Sequence, residues 1–86
     1  MFHKAIDLRL LEGTLLEVCF QNGVVKHYDM KKLFSKYPQL RQLEDRSVFL
    51  MGRIVGSYGI VWTDDLDIET ETIYEDGETV CEEERY

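Results

Sequence analysis

Five carboxylic acids crowd the segment that follows the only tryptophan: Asp64, Asp65, Asp67, Glu69 and Glu71 come directly after the apolar run Gly59-Ile60-Val61-Trp62-Thr63. Acids at this density have three chemical uses. They ligate a hard cation, because calcium and magnesium want several carboxylate oxygens converging on one point. They act as an acid–base pair when a dry pocket raises the pKa of one member. They also present negative charge to a basic partner. Asp65, Asp67 and Glu69 imitate positions one, three and five of an EF-hand loop, but the glycine required at position six is Thr70. No metal site is therefore assigned, and Asp67 reads instead as the N-cap of a short helical turn. A chain of 86 residues buries only about 60% of its unfolded surface, which leaves little room for a dry catalytic pocket.

Other reactive residues point the same way. His3 and His27 have no cysteine or histidine neighbours at zinc-ligand spacing. Cys19 lies in an apolar run without a cationic partner and reads as a small buried hydrophobe, while Cys81 lies in an acidic tail. With no CxxC and no framework of four or six cysteines, two unlinked thiols are expected. Serine-nucleophile motifs, phosphate-binding glycine loops and nucleotide fingerprints are absent. The expectation is a non-enzyme with no cofactor and no catalytic residues.

Charge divides the chain sharply. Residues 1–63 carry nine basic and six acidic side chains, net +3, whereas residues 64–86 carry eleven acidic and one basic, net −10. The acidic end repels nucleic acid and anionic membrane and attracts a basic protein. Lys31, Lys32 and Lys36, with Arg41 and Arg46 and with Tyr28 and Tyr37 nearby, form the main basic grouping and the alternative nucleic-acid face. No stretch approaches the ~20 apolar residues of a membrane span, and Met1-Phe2-His3-Lys4 opens an alternating segment rather than a signal core, so a cytoplasmic location is expected.

Positioning these residues falls to a short series of strands and turns. Ala5 to Leu11 alternates Ile6, Leu8 and Leu10 with Asp7 and Arg9, the period of a half-buried strand, and Glu12-Gly13 turns it. Thr14–Phe20 and Val24–Tyr28 form a hairpin around Asn22-Gly23, whose two residues suit a type I′ turn. Asp29 caps an amphipathic helix carrying Met30, Leu33, Phe34 and Tyr37 on one face, stopped at Pro38. Gln39–Met51 is a short helix, with Ser47 as a cap, or is irregular. Gly52–Val55 and Ile60–Thr63 form a second hairpin around Gly56-Ser57-Tyr58-Gly59. Beyond Asp67 two readings stand open: a helical turn with Ile68 and Ile73 inward, or strands 70–74 and 78–81 around Asp76-Gly77. The layout is α+β, a small mainly antiparallel sheet of about five strands packed on one amphipathic helix and short helical turns. A single domain spans residues 1–77, and an acidic tail spans 78–86.

Leu43-Glu44-Asp45, Phe49, Arg53 to Val55, Ile60-Val61-Trp62, Asp65-Leu66-Asp67 and Ile73-Tyr74-Glu75 together resemble the small bacterial family catalogued as domain of unknown function 2442. The Phe20 to Asp29 hairpin and the helix starting at Met30 fit the same order, so the likeness covers roughly residues 4–76. Members usually have proline, asparagine and glycine between the tryptophan and the acidic motif, where this chain has Thr63-Asp64, and many have proline where it has Ile68. The resemblance implies a small α+β domain, often standing alone and sometimes joined to a helix-turn-helix module, with members encoded beside another small protein in toxin–antitoxin-like arrangements. It favours the helical turn after Asp67 and brings no catalytic residue.

The functional expectation is thus an interaction domain that meets a basic partner protein through Asp64, Asp65, Asp67, Glu69, Glu71 and Glu75. Trp62, Tyr58 and Tyr74 are its candidate anchors. A homodimer through strand edges is the other assembly such a small sheet allows. A metal-dependent enzyme ranks last.

Overall fold

Leu16, Val18 and Phe20 alternate with Glu17 and Cys19, so one face of that strand must find cover and the other can meet water. The computed structural model describes residues 2–82 and shows how the cover is supplied. Strands β1 (Ala5–Leu10), β2 (Leu15–Phe20) and β3 (Val24–Asp29) form the expected antiparallel meander. Leu8 faces Val18 and Leu10 faces Leu16, all on the core side. The strict alternation expected for β1 breaks near its start, where a bulge between Ala5 and Asp7 turns Ala5 inward and leaves Ile6 63% exposed.

The β2–β3 turn also differs from the expected type I′. Its loop has three residues, Gly23 N donates to Phe20 O at 2.9 Å, and only Gly23 takes a positive φ, 92°. This is the arrangement of a three-residue hairpin with glycine at the left-handed position. Asn22 contributes differently, its Oδ1 accepting from Val24 N at 3.0 Å.

Asp29 does act as a cap, accepting from Lys31 N at 3.0 Å and from the Thr14 hydroxyl at 2.6 Å. The segment it caps is not the continuous amphipathic helix expected over Asp29–Tyr37. Met30–Leu33 is a 3-10 turn, and a second 3-10 stretch, Pro38–Glu44, begins at the proline. A helix of eight residues is marginal by itself, and Pro38 pushes Tyr37 out of helical geometry, to φ −129° and ψ 83°. Packing therefore decides the path: Met30 and Phe34 are buried, and Tyr37 swings out to 41% exposure. The one-turn helix α1 (Arg46–Phe49) is capped by Asp45, which accepts from the amide and hydroxyl of Ser47, so Ser47 is the donor and not the expected cap.

The second hairpin forms as read from the sequence, β4 (Arg53–Val55) and β5 (Gly59–Thr63), but it does not join the meander in one sheet of five strands. It adds β6 (Leu66–Glu69) to make a separate sheet of order β4-β5-β6. Among the described residues, seven strands in two sheets thus share one core with the short helices, an α+β fold. Ala5 N donates to Ser57 O at 2.8 Å and ties β1 to the β4–β5 turn.

After β6 the chain takes one element from each reading of the tail. Helix α2 (Thr70–Asp76) buries Ile73, and β7 (Glu78–Glu82) pairs antiparallel with β3, giving the first sheet the order β1-β2-β3-β7. Asp67 lies within β6, and α2 has Glu69 at its N-cap without a side-chain bond, so Asp67 is not a cap. The register sets Cys19 beside Val25 and Val25 beside Cys81, so the thiols are two strands apart and free. That separation, ~9.5 Å by strand spacing, exceeds what a disulfide spans. Residues 83–86 of the acidic tail lie outside the described residues.

Trp62 fixes the interior. It is completely buried, stacks on Phe49 with ring centres 6.5 Å apart, and donates from Nε1 to Phe49 O at 3.0 Å. A Cβ on Gly52 would stand 2.6 Å from Nε1 of that indole, so position 52 accepts no side chain without displacing it. Two substitutions check this. Trp62→Ala is expected to lose about 3–5 kcal/mol and Gly52→Ala about 1–3 kcal/mol in urea unfolding, and a neutral Gly52→Ala would mean that the indole sits elsewhere.

Candidate functional site: an acidic cleft beside strand β6

In β6 the side chains of Leu66 and Ile68 turn toward the interior and those of Asp67 and Glu69 turn to solvent. Beside this strand a cleft of 630 Å³ opens between β6, the 3-10 segments and α2. Leu33, Leu40 and Ile68 give it apolar surface. Asp65, Asp67, Glu69 and Asp76 line it with carboxylates, and Lys36 is the only cation among its lining residues. All four acids are exposed to solvent.

The structure thus gathers three of the acids singled out from sequence, Asp65, Asp67 and Glu69, and leaves Asp64, Glu71 and Glu75 outside the cleft lining. Asp64 sits in the exposed β5–β6 turn outside the cleft lining, and Glu75 is exposed on α2. Trp62 is core and cannot serve as a surface anchor, because its one polar atom is already bonded inside. Tyr74 is half-buried and engaged: its ring stacks on His3 at 3.6 Å, meets Phe20 edge-on, and its hydroxyl accepts from Asn22 at 3.1 Å. Tyr58 remains exposed, against Phe2.

Glu71 leaves the acidic group altogether. Its carboxylate accepts from the His3 amide at 2.9 Å and lies 2.9 Å from His3 Nδ1, tying the start of the chain to α2. The amide bond above all, and then the ring, hold its carboxyl below the ordinary value of 4.5. Sequence gives no signal for this pair, since the partners are 68 positions apart. Between Phe2, Tyr58, Glu69 and Glu71 lies a smaller hollow of 410 Å³.

The basic grouping is dispersed. Arg46 donates to the carbonyls of Leu11 and Gly13 at 2.7 and 2.9 Å and so acts as a tie between α1 and the β1–β2 turn. Arg41 lies over the Phe34 ring and 3.9 Å from Glu44. Lys31, Lys32 and Lys36 are exposed, but Lys32 lies over Tyr28, Lys36 lies over Tyr37, and Lys36 stands at the acidic cleft. Asp76 is the cleft acid that sequence reading passed over as half of a turn dipeptide. Its spacing from Thr72, also in the lining, puts both on one face of α2. Burial first, and then the Asp76 charge, push the Tyr28 hydroxyl above its ordinary value.

Among the described residues no group of three or more histidines, cysteines or acids converges as a metal site, and no helix is long and apolar enough to cross a membrane. A small two-sheet α+β domain with an acidic cleft is the class of protein that these observations define. The family profile described as "Protein of unknown function (DUF2442)" matches residues 5–79 of the 86, and the chain belongs to that family. No curated protein and no solved structure matches it.

The Glu71 tie has a pH signature. Its folded carboxyl lies below the ordinary value of 4.5, so its stabilisation is complete above 4.5 and is lost as pH falls through the folded value. Glu71→Gln should cost roughly 1 kcal/mol at pH 7, reduced by the water that reaches His3. The gap from wild type in urea unfolding should close as the pH drops below 4.5, and a gap constant across pH would show that the carboxylate charge is not what binds His3.

Proposed function

We propose that this protein is a non-catalytic interaction domain whose acidic cleft engages a basic partner protein. One observation carries the reading: four carboxylates and a single lysine line a cleft together with the apolar side chains of Leu33, Leu40 and Ile68. The carboxylates steer and select a basic partner, while desolvation of the apolar part holds it. The exposure of all four acids supports a binding role over acid–base chemistry, which needs one carboxyl in a dry setting. The small protein that the family resemblance places beside such chains is the first candidate partner, in an antitoxin-like pairing.

The alternative is a nucleic-acid-associated regulator working through Lys31, Lys32 and Lys36. It has less support, because Lys36 shares its cleft with four acids and Arg46 is engaged within the fold. Pull-down with the full chain from native cells separates the two. The partner reading expects one stoichiometric protein of high isoelectric point, released by moderate salt, lost with Asp67→Lys/Glu69→Lys and retained with Lys31→Glu/Lys32→Glu. Salt-sensitive retention on DNA that is abolished by the lysine changes and untouched by the acid changes would overturn it.

A further inference from the structure

Strand β6 is an edge of the three-stranded sheet, and its backbone determines what the cleft beside it can take. Thr70 N donates to Tyr58 O at 2.9 Å, and the register pairs Gly59 with Glu69, Ile60 with Ile68 and Val61 with Asp67. In an antiparallel ladder, pairs that exchange both hydrogen bonds alternate with pairs that exchange none. Counting from the Thr70–Tyr58 bond, Ile68 uses its N–H and C=O on Ile60, whereas Asp67 turns both of its groups and Glu69 its N–H away from β5, the Glu69 C=O serving the first turn of α2 as its N-cap. Among the described residues, neither Asp67 nor Glu69 makes a backbone bond to another strand or loop on that side. This open edge borders the cleft, since Asp67, Ile68 and Glu69 all line it across from Leu33 and Leu40.

We propose that the cleft binds by strand addition: an extended basic segment of a partner protein pairs with the β6 edge and enlarges the sheet. The inference rests on the acidic cleft being the partner surface, and it adds the backbone mode and a sequence pattern. Residues placed directly opposite Asp67 and Glu69 project to the same side as those acids, and the residue between them projects with Ile68 toward the apolar side. The segment therefore reads basic–apolar–basic, with Lys or Arg opposite each acid. Main-chain bonds supply affinity and the alternating side chains supply selection.

Charge decides between a partner and a second copy. Two β6 edges pairing about Ile68 would set Asp67 against Glu69 twice, and like charges directly opposite are unfavourable. The acids thus keep the edge from pairing with itself while leaving it open to a basic strand. The other edges fit less well: β1 already donates from Ala5 to Ser57, β4 carries no acid, and β7 contributes no residue to either of the hollows described above.

The test is an NMR titration of the isotope-labelled full chain at low ionic strength with three capped pentapeptides. They are Lys-Val-Arg-Val-Lys, the same peptide N-methylated at Arg and at the second Lys, and Glu-Val-Glu-Val-Glu. Strand addition expects saturating shifts and slowed amide exchange at Asp67 and Glu69 with the first peptide. It expects binding weaker by about tenfold or more for the methylated one, which loses the bond to the Asp67 carbonyl and sets methyl groups against the edge, and none for the acidic one. Asp67→Lys/Glu69→Lys, checked for a dispersed spectrum, should reverse the preference toward the acidic peptide. Equal binding of the two basic peptides overturns strand addition and leaves the acidic cleft standing as a partner surface. If neither basic peptide shifts a cleft residue, both readings fall. Self-association through the same amides without peptide assigns the edge to a second copy and overturns the proposal.

Discussion

The indole of Trp62 carries one polar group, and its burial obliges the chain to bring a carbonyl to it. Phe49 supplies that carbonyl, so α1 must lie against β5, and Gly52 must be bare for the indole to fit. A buried donor left without a partner costs as much as several well-made surface contacts contribute. Arg46 fastens the same helix to the β1–β2 turn through two carbonyls. The separate sheet β4-β5-β6 is thereby fixed against the meander, and with it the edge of β6 that borders the cleft.

Where neighbouring residues settle a conformation, the sequence was easily read. The meander, the second hairpin and the cap at Asp29 arise from alternation, turn residues and a short carboxylate, interactions that reach only a few positions along the chain. Ile6 illustrates the limit. Its place in an alternating run argues for burial, but the bulge that exposes it depends on how β1 registers against β2. The Met30–Tyr37 stripe is similar, since its apolar spacing is real while its helix is too short to hold its own geometry against Pro38 and the packed sheet.

The site was half legible. A dense acidic stretch after an apolar strand singled out Asp65, Asp67 and Glu69, and all three line the cleft, because residues on one short strand and its turn stay together. Glu71, two positions further, belongs to α2 and faces His3, and Trp62 belongs to the core. Asp76, Lys36 and the Leu33–Leu40 surface joined the cleft through packing that brings residues 33–40 and 65–76 side by side. Charge counting alone could not separate the acids that face the cleft from those that do not.

By itself the sequence determined the α+β class, the family, the first three strands, the second hairpin and the placement of negative charge in the last third of the chain. These depend on local periodicity, turn chemistry and composition. Only the tertiary structure decided that the strands divide into two sheets, that Trp62 is interior and Glu71 a tie, and that β6 presents an open edge inside an acidic cleft. Those outcomes depend on long-range pairing and on which apolar faces bury one another, and no window of neighbouring residues contains that information.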